Sequence, residues 1–140
     1  MSMMLTMSAE SGLLRASVTG NFSLAEAKRT FIEILEAVAR SKVEKVLFDG
    51  RGITGNPDTM ERFYCGEFVA ETIGRFATNG VSRRTRFAYV LEEPVRDPER
   101  FGETVAVNRG MDVKTFDNDQ DALGWLRTPP ANKLAAGDAK

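Results

Sequence analysis

A chain of 140 residues with a formal net charge of -1 and 42% hydrophobic content has room for one domain with a real core, and exerts no global pull on phosphate backbones or anionic lipid. The absence of histidine removes Ser-His-Asp and Cys-His triads, imidazole metal sites and histidine acid–base chemistry; the single cysteine, Cys65, removes intrachain disulfides and thiolate clusters and fits a reducing compartment. No basic residue precedes Arg15 and no apolar run is long enough for a signal peptide or a bilayer span, so a cytoplasmic location is expected.

In chain order, residues 3–8 and 13–19 alternate, with Met3, Leu5 and Met7 on one side of the first run and Leu14, Ala16 and Val18 on one side of the second; with Glu10-Ser11-Gly12 between them they predict a hairpin. Gly20 and Asn21 are expected to break the second strand. Ser23 and Glu26 have capping-box spacing before a helix whose apolar arc is Leu24, Ala27, Phe31, Ile34, Leu35 and Val38, with Glu26, Arg29, Glu33, Glu36 and Arg40 opposite. Val46, Leu47 and Phe48 are continuous rather than alternating, as in a strand covered on both faces, and residues 87–91 read the same way. Between these two strands, Asn56-Pro57 predicts a helix start with Asn56 as the cap, and the helix is expected to run to about Ala77. A third helix is expected over residues 99–109, with Phe101, Val105 and Asn108 inward, then a short edge strand over 113–116. A last helix is capped by Asn118 and Asp121 and anchored by Trp125. Residues 1–127 form one domain in this reading, and 128–140 a disordered tail. The order β-β-α-β-α-β-α-β-α predicts an α/β fold: a mainly parallel five-stranded sheet with an antiparallel N-terminal edge strand.

The stretch KVLFDGRGITGNPD, residues 45–58, is the centre of this reading: a strand ending in a carboxylate, a glycine-rich loop, and a helix start. Gly50, Gly52 and Gly55 match G-x-G-x-x-G, but Asp49 would set a carboxylate beside a pyrophosphate, Pro57 delays the helix, and no acidic residue ends a second strand at the expected distance, so no dinucleotide cofactor is expected. A smaller anion remains possible at that helix start, with Arg51 or Arg62 as charge partners; the bland alternative is that Asp49 caps a turn and pairs with Arg51. The carboxyl ends of the strands should also gather Asn21, Ser23, Glu92, Arg96 and Asp117. On the helix that follows, Cys65, Val69, Ile73 and Phe76 form one apolar line, with Cys65 a core residue rather than a nucleophile. Met60, Tyr64 and Phe68 form a second line that is either buried or a self-association surface. Arg83, Arg84 and Arg86 read as a solvated turn rather than a nucleic-acid patch.

The strand-loop VLFDGRG, the run RFAYVLE and the pattern ETVAVNRGMDVKTFDNDQDALGWL, with Asn108-Arg109-Gly110 and residues 122–126 the most telling, resemble the SpoIIAA-like group of small bacterial proteins, related in fold to STAS domains and sometimes described as STAS/SEC14-like. The resemblance covers the chain to about Leu126. It implies a (βα)n superhelix and a protein-binding module; in the antagonists of that larger group a serine or threonine at the start of the helix after the third strand is phosphorylated. Carried over by position, that place is residues 56–60, where Thr59 is the only hydroxyl, and the Asp-Ser-Ser-Gly or Asp-Thr-Ser-Gly pattern of the antagonists is absent. The expectation is a non-enzymatic interaction module, homodimeric, with an unknown protein partner. Its binding residues would be Asp49, Arg51, Asn56, Thr59, Arg62, Asn108 and Arg109, and its self-association residues Met60, Tyr64 and Phe68. No cofactor, metal, nucleic acid or membrane span is expected. The alternative is a small-molecule, anion or lipid-binding protein with its site at the carboxyl edge of the sheet, an apolar ligand being suggested by the SEC14 side of the resemblance. An enzyme using carboxylates such as Asp49 and Glu92 requires both groups to face one cavity.

Overall fold

Ser11 and Gly12 both take positive φ, 47° and 78°, the dihedrals that let a two-residue turn match the twist of the strands it joins. They fold β1 (Met4–Glu10) back on β2 (Leu13–Asn21) in an unbroken antiparallel register from Met4↔Thr19 to Glu10↔Leu13. The expected hairpin is present, and Leu5 and Met7 fall opposite Val18 and Ala16 on one face. These features belong to a computed structural model that describes residues 3–76, 85–93, 95, 104, 107–108 and 112–128.

After the hairpin, the Ser23 side chain accepts the Glu26 N–H at 3.4 Å and starts α1 (Leu24–Ser41), which ends where Lys42 turns left-handed and donates its N–H to the Val38 carbonyl. The apolar arc buries Phe31, Ile34, Leu35 and Val38; each such side chain contributes about 1.5–3 kcal/mol relative to an exposed one. The opposite face stays in water, where Arg29 bridges Glu26 and Glu33, each at 2.6 Å. There follow β3 (Lys45–Thr54), α2 (Thr59–Phe76), β4 (Arg86–Val90), β5 (Asp112–Phe116) and α3 (Asp119–Leu126).

The sheet order is β1-β2-β3-β4-β5, antiparallel only at β1–β2. The parallel strands always step in one direction, so crossovers of one hand place their helices on one face. Accordingly α1 and α2 pack together over Leu14, Ala16, Val18, Val46, Phe48 and Phe87. Among the described residues the other face is covered by the helix that follows the last strand: Ala122 and Leu126 of α3 close over Leu47, Ala88 and Val90. Val46, Leu47 and Phe48 are therefore buried from both sides, as their continuity predicts. α3 lies over β3, β4 and β5, and Leu13 of β2 packs against the same cluster, while the outward residues of β1 are exposed. Thr6, Ser8, Arg15 and Ser17 line a shallow cavity of about 350 Å³ there, bounded by Asp49 and Asp119.

Several expectations change. Gly20 and Asn21 do not break β2, which pairs through both of them with Ile53 and Thr54. Asn108, expected inward, is exposed. Most of the third helix expected over 99–109, including Phe101, Val105 and Arg109, lies outside the described residues, as do Arg96 and positions 129–140. Arg86 is not in a solvated turn: it opens β4 at 5% exposure, its guanidinium carbon is 3.9 Å from the centre of the Trp125 ring, and it donates to the carbonyls of Trp125 and Thr128. Its remaining charge partner is Asp112 at 3.3 Å. Trp125 does anchor the last helix, packing also on Phe116 at 5.7 Å between ring centres.

Candidate functional site

The glycine-rich segment after Asp49 is strand, not loop. Ser17 lies opposite Asp49 but Thr19 lies opposite Gly52, so β3 carries an extra residue against β2 and bulges at Gly50–Arg51. The partner on the other side stops earlier, with Val90 opposite Asp49. A side chain at Gly50 would stand 2.6 Å from Leu91, 2.8 Å from Phe48 and 2.9 Å from Ile53, and at Gly52 2.7 Å from Thr19. Close packing of the bulge, not room for a phosphate, is what these two glycines supply.

The bulge brings Arg51 back onto Asp49. Arg51 Nε and Nη2 donate to the two carboxylate oxygens at 3.0 and 2.9 Å, and the Arg51 backbone N–H donates to Oδ1 at 3.1 Å. The guanidinium bonds hold the Asp49 carboxyl below its ordinary range, against the opposing effect of burial. Asp119 adds a longer contact to Arg51 at 3.9 Å. The bland alternative for this pair is the observed one: both charges, and the amide that an anion would need, already serve each other.

The next helix starts later than expected. Asn56 is exposed and is not the cap, and Pro57 is buried before the first turn. Asp58 accepts the Glu61 N–H at 2.7 Å while Glu61 accepts the Asp58 N–H at 3.0 Å, a reciprocal capping box. Thr59 is the first residue of α2 and is exposed. Arg62 turns back, donating to the Pro57 carbonyl at 3.0 Å and the Val95 carbonyl at 3.3 Å, so it fastens the helix start to the segment after β4. Of the second apolar line, Met60 and Tyr64 are exposed, at 53% and 46%. Phe68 instead packs against the core, with the Lys28 ammonium 5.3 Å from its ring centre. On the first line Val69 and Ile73 are buried, and burial pushes the Cys65 thiol up to about 11, leaving it protonated at neutral pH.

The expected site residues thus form two groups along one stretch of chain: the Asp49–Arg51 pair at the bulge, and Asn56, Thr59, Met60, Arg62 and Tyr64 around the start of α2. Asn108 is exposed, and Arg109 lies outside the described residues. Glu92 is exposed and does not line the cavity that Asp49 borders; its charge acts on Arg51 together with those of Asp49 and Asp119. Asp119 was not singled out from sequence; as the residue after the Asn118 cap it read only as part of a helix start. Among the described residues, no group of three or more acidic or cysteine side chains is placed to hold a metal, and no helix is long and apolar enough to cross a membrane.

No family model and no curated protein matches the chain. Solved structures do match its shape. An anti-sigma factor antagonist from Mycobacterium paratuberculosis is similar with a TM-score of 0.60 and 16% identity, over 91% of this chain and 96% of that one. An uncharacterised DUF3478-family protein with a SpoIIAA-like fold from Shewanella loihica is similar with a TM-score of 0.51 and 14% identity, over 89% and 94%. At these identities the likeness concerns the fold: this chain has the SpoIIAA-like, STAS-type fold that the sequence resemblance implies.

Proposed function

We propose that the chain is a non-enzymatic protein-interaction module, acting as a homodimer and engaging a further protein through the start of α2. The observation that carries this reading is the exposure of Met60 and Tyr64, side by side one turn apart on an otherwise ordered helix, next to an exposed Thr59 and Asn56. An exposed apolar pair rimmed by polar groups suits the centre of a transient protein contact. The fold is shared with an anti-sigma factor antagonist, a protein that acts on another protein; this supports the same mode of action here. Affinity capture with the native chain and with a Met60→Asp, Tyr64→Asp double variant of equal stability tests the proposal. At least one protein is expected to be retained by the native chain and lost with the variant; identical protein sets would sink it.

The cavity of about 350 Å³ over β1 and β2 favours a second reading, a small polar ligand held by Thr6, Ser8, Arg15 and Ser17 at the edge of Asp49. A thermal-shift screen of organic acids, nucleotides and lipids in which nothing raises the melting temperature would remove it.

A further inference from the structure

We propose that the outer edge of β1, in place of the Met60, Tyr64 and Phe68 line expected from the sequence, is the self-association surface, pairing antiparallel with β1 of a second copy about a two-fold axis through Met7; this rests on the homodimer reading above. The phase of the hairpin decides which backbone groups are free. A two-residue turn closes on a hydrogen-bonded pair, here Glu10↔Leu13, and such pairs alternate along an antiparallel ladder. Met4, Thr6 and Ser8 therefore spend their backbone groups on β2, while Leu5, Met7 and Ala9 turn theirs outward. β1 ends the sheet order, and among the described residues no strand lies beyond it.

The side chains repeat this arrangement. Leu5, Met7 and Ala9 share the helix-covered face with Val18, Ala16 and Leu14. The β2 residues are at most 2% exposed, and Leu5 packs against the core beside α1, whose Arg29 donates to the Met3 carbonyl; further along the strand Met7 is 38% exposed and Ala9 is exposed too. Read outward from Met7, residues 5–9 run apolar, hydroxyl, apolar, hydroxyl, apolar in either direction. Centred on Met7, antiparallel pairing sets Leu5 opposite Ala9, Met7 opposite Met7 and Thr6 opposite Ser8. The residues with free backbone groups become hydrogen-bonded pairs, each exchanging two bonds. A strand that reads the same from both ends fits its own copy under two-fold symmetry.

Charge agrees. Residues 4–9 contain no charge, proline or glycine, the devices by which exposed edges are usually kept apart. The other edge, β5, carries Asp112 and an exposed Lys114. The one charge of β1, Glu10, is held by Arg15 at 2.9 Å and would lie opposite Met4, so like charges do not meet. A single seven-residue edge is a small contact beside the roughly 1,200 Å² that stable interfaces bury, so a dimer in exchange with monomer is expected.

The test uses the full chain with Cys65→Ser as background. In a hydrogen-bonded antiparallel pair, opposite Cα atoms are about 5.5 Å apart, within disulfide range. Met7→Cys is therefore expected to form a covalent dimer on mild oxidation, and Thr6→Cys, whose own copy lies two residues further along the partner strand, beyond disulfide range, is not. Met7→Lys in the native chain is expected to weaken the dimer at least tenfold by sedimentation while leaving the melting temperature of the dilute monomer unchanged. A dimer that ignores Met7→Lys, with no cross-link at position 7, overturns the edge assignment alone. A strict monomer up to about 1 mM, with no cross-link, overturns the homodimer reading as well.

Discussion

At the scale of single residues, the bulge of β3 shows how a glycine-rich motif can be structural. Gly50→Ala would force a methyl against Leu91, Phe48 and Ile53, and overpacking of this kind costs about 1–3 kcal/mol in urea unfolding. Gly124→Ala is the internal contrast: nothing lies within 4 Å of the added carbon, and alanine inside a helix is expected to stabilise by about 0.5–1 kcal/mol. The Asp49–Arg51 pair makes a pH-dependent contribution. The carboxyl is held below its unfolded value near about 3.9, so its contribution is complete above that pH and is lost as pH falls through the lower folded value. The stability difference between the native chain and Asp49→Asn is therefore expected to be constant from pH 7 to 5 and to shrink below about pH 4; a difference that persists unchanged to pH 2 would contradict the pairing.

At the scale of elements, legibility followed how local the deciding signal is. The hairpin, α1 with its Ser23 cap, the doubly buried Val46–Leu47–Phe48 and the Asn118 cap were all readable, because each rests on near neighbours in sequence. Two competing signals misled at α2: Asn56-Pro57 looks like a helix start, but Asp58 and Glu61 form the box, and that Asp-x-x-Glu spacing was present in the sequence. The length of β3 was hidden because Gly50 and Gly52 read as loop, and their role depends on Thr19, Phe48, Ile53 and Leu91 rather than on adjacent residues. Arg86 was masked by its arginine neighbours, although Arg86, Ala88 and Val90 alternate onto the face that α3 covers. Arg86 now reads as the fastening of that helix. Arg86→Met removes a charge-assisted set of bonds to Trp125 and Thr128, worth roughly 1.5–3 kcal/mol. Amide hydrogen exchange is expected to speed up in α3 well before α1; uniform change across both would contradict the assignment.

At the scale of the whole molecule, a one-directional strand order leaves α1 and α2 on one face, α3 over half of the other, and β1 as an edge without the usual protections. The SpoIIAA-like fold was legible from strand ends and helix faces. The site was legible only as a location: the sequence pointed to the stretch from Asp49 to Tyr64, but which charges are already paired there depends on the bulge. In the proposed reading the partner meets the Met60–Tyr64 pair with exposed Asn56 and Thr59 beside it, since Arg51 is committed to Asp49 and Arg62 to the Pro57 and Val95 carbonyls. The most direct measurement is photo-cross-linking with p-benzoylphenylalanine in place of Tyr64, against the same group in place of Arg40, exposed near the end of α1, in extract of the producing cell. The expected result is a discrete protein adduct from position 64 and none from position 40; no adduct, or the same adducts from both, would contradict an interaction surface at the start of α2.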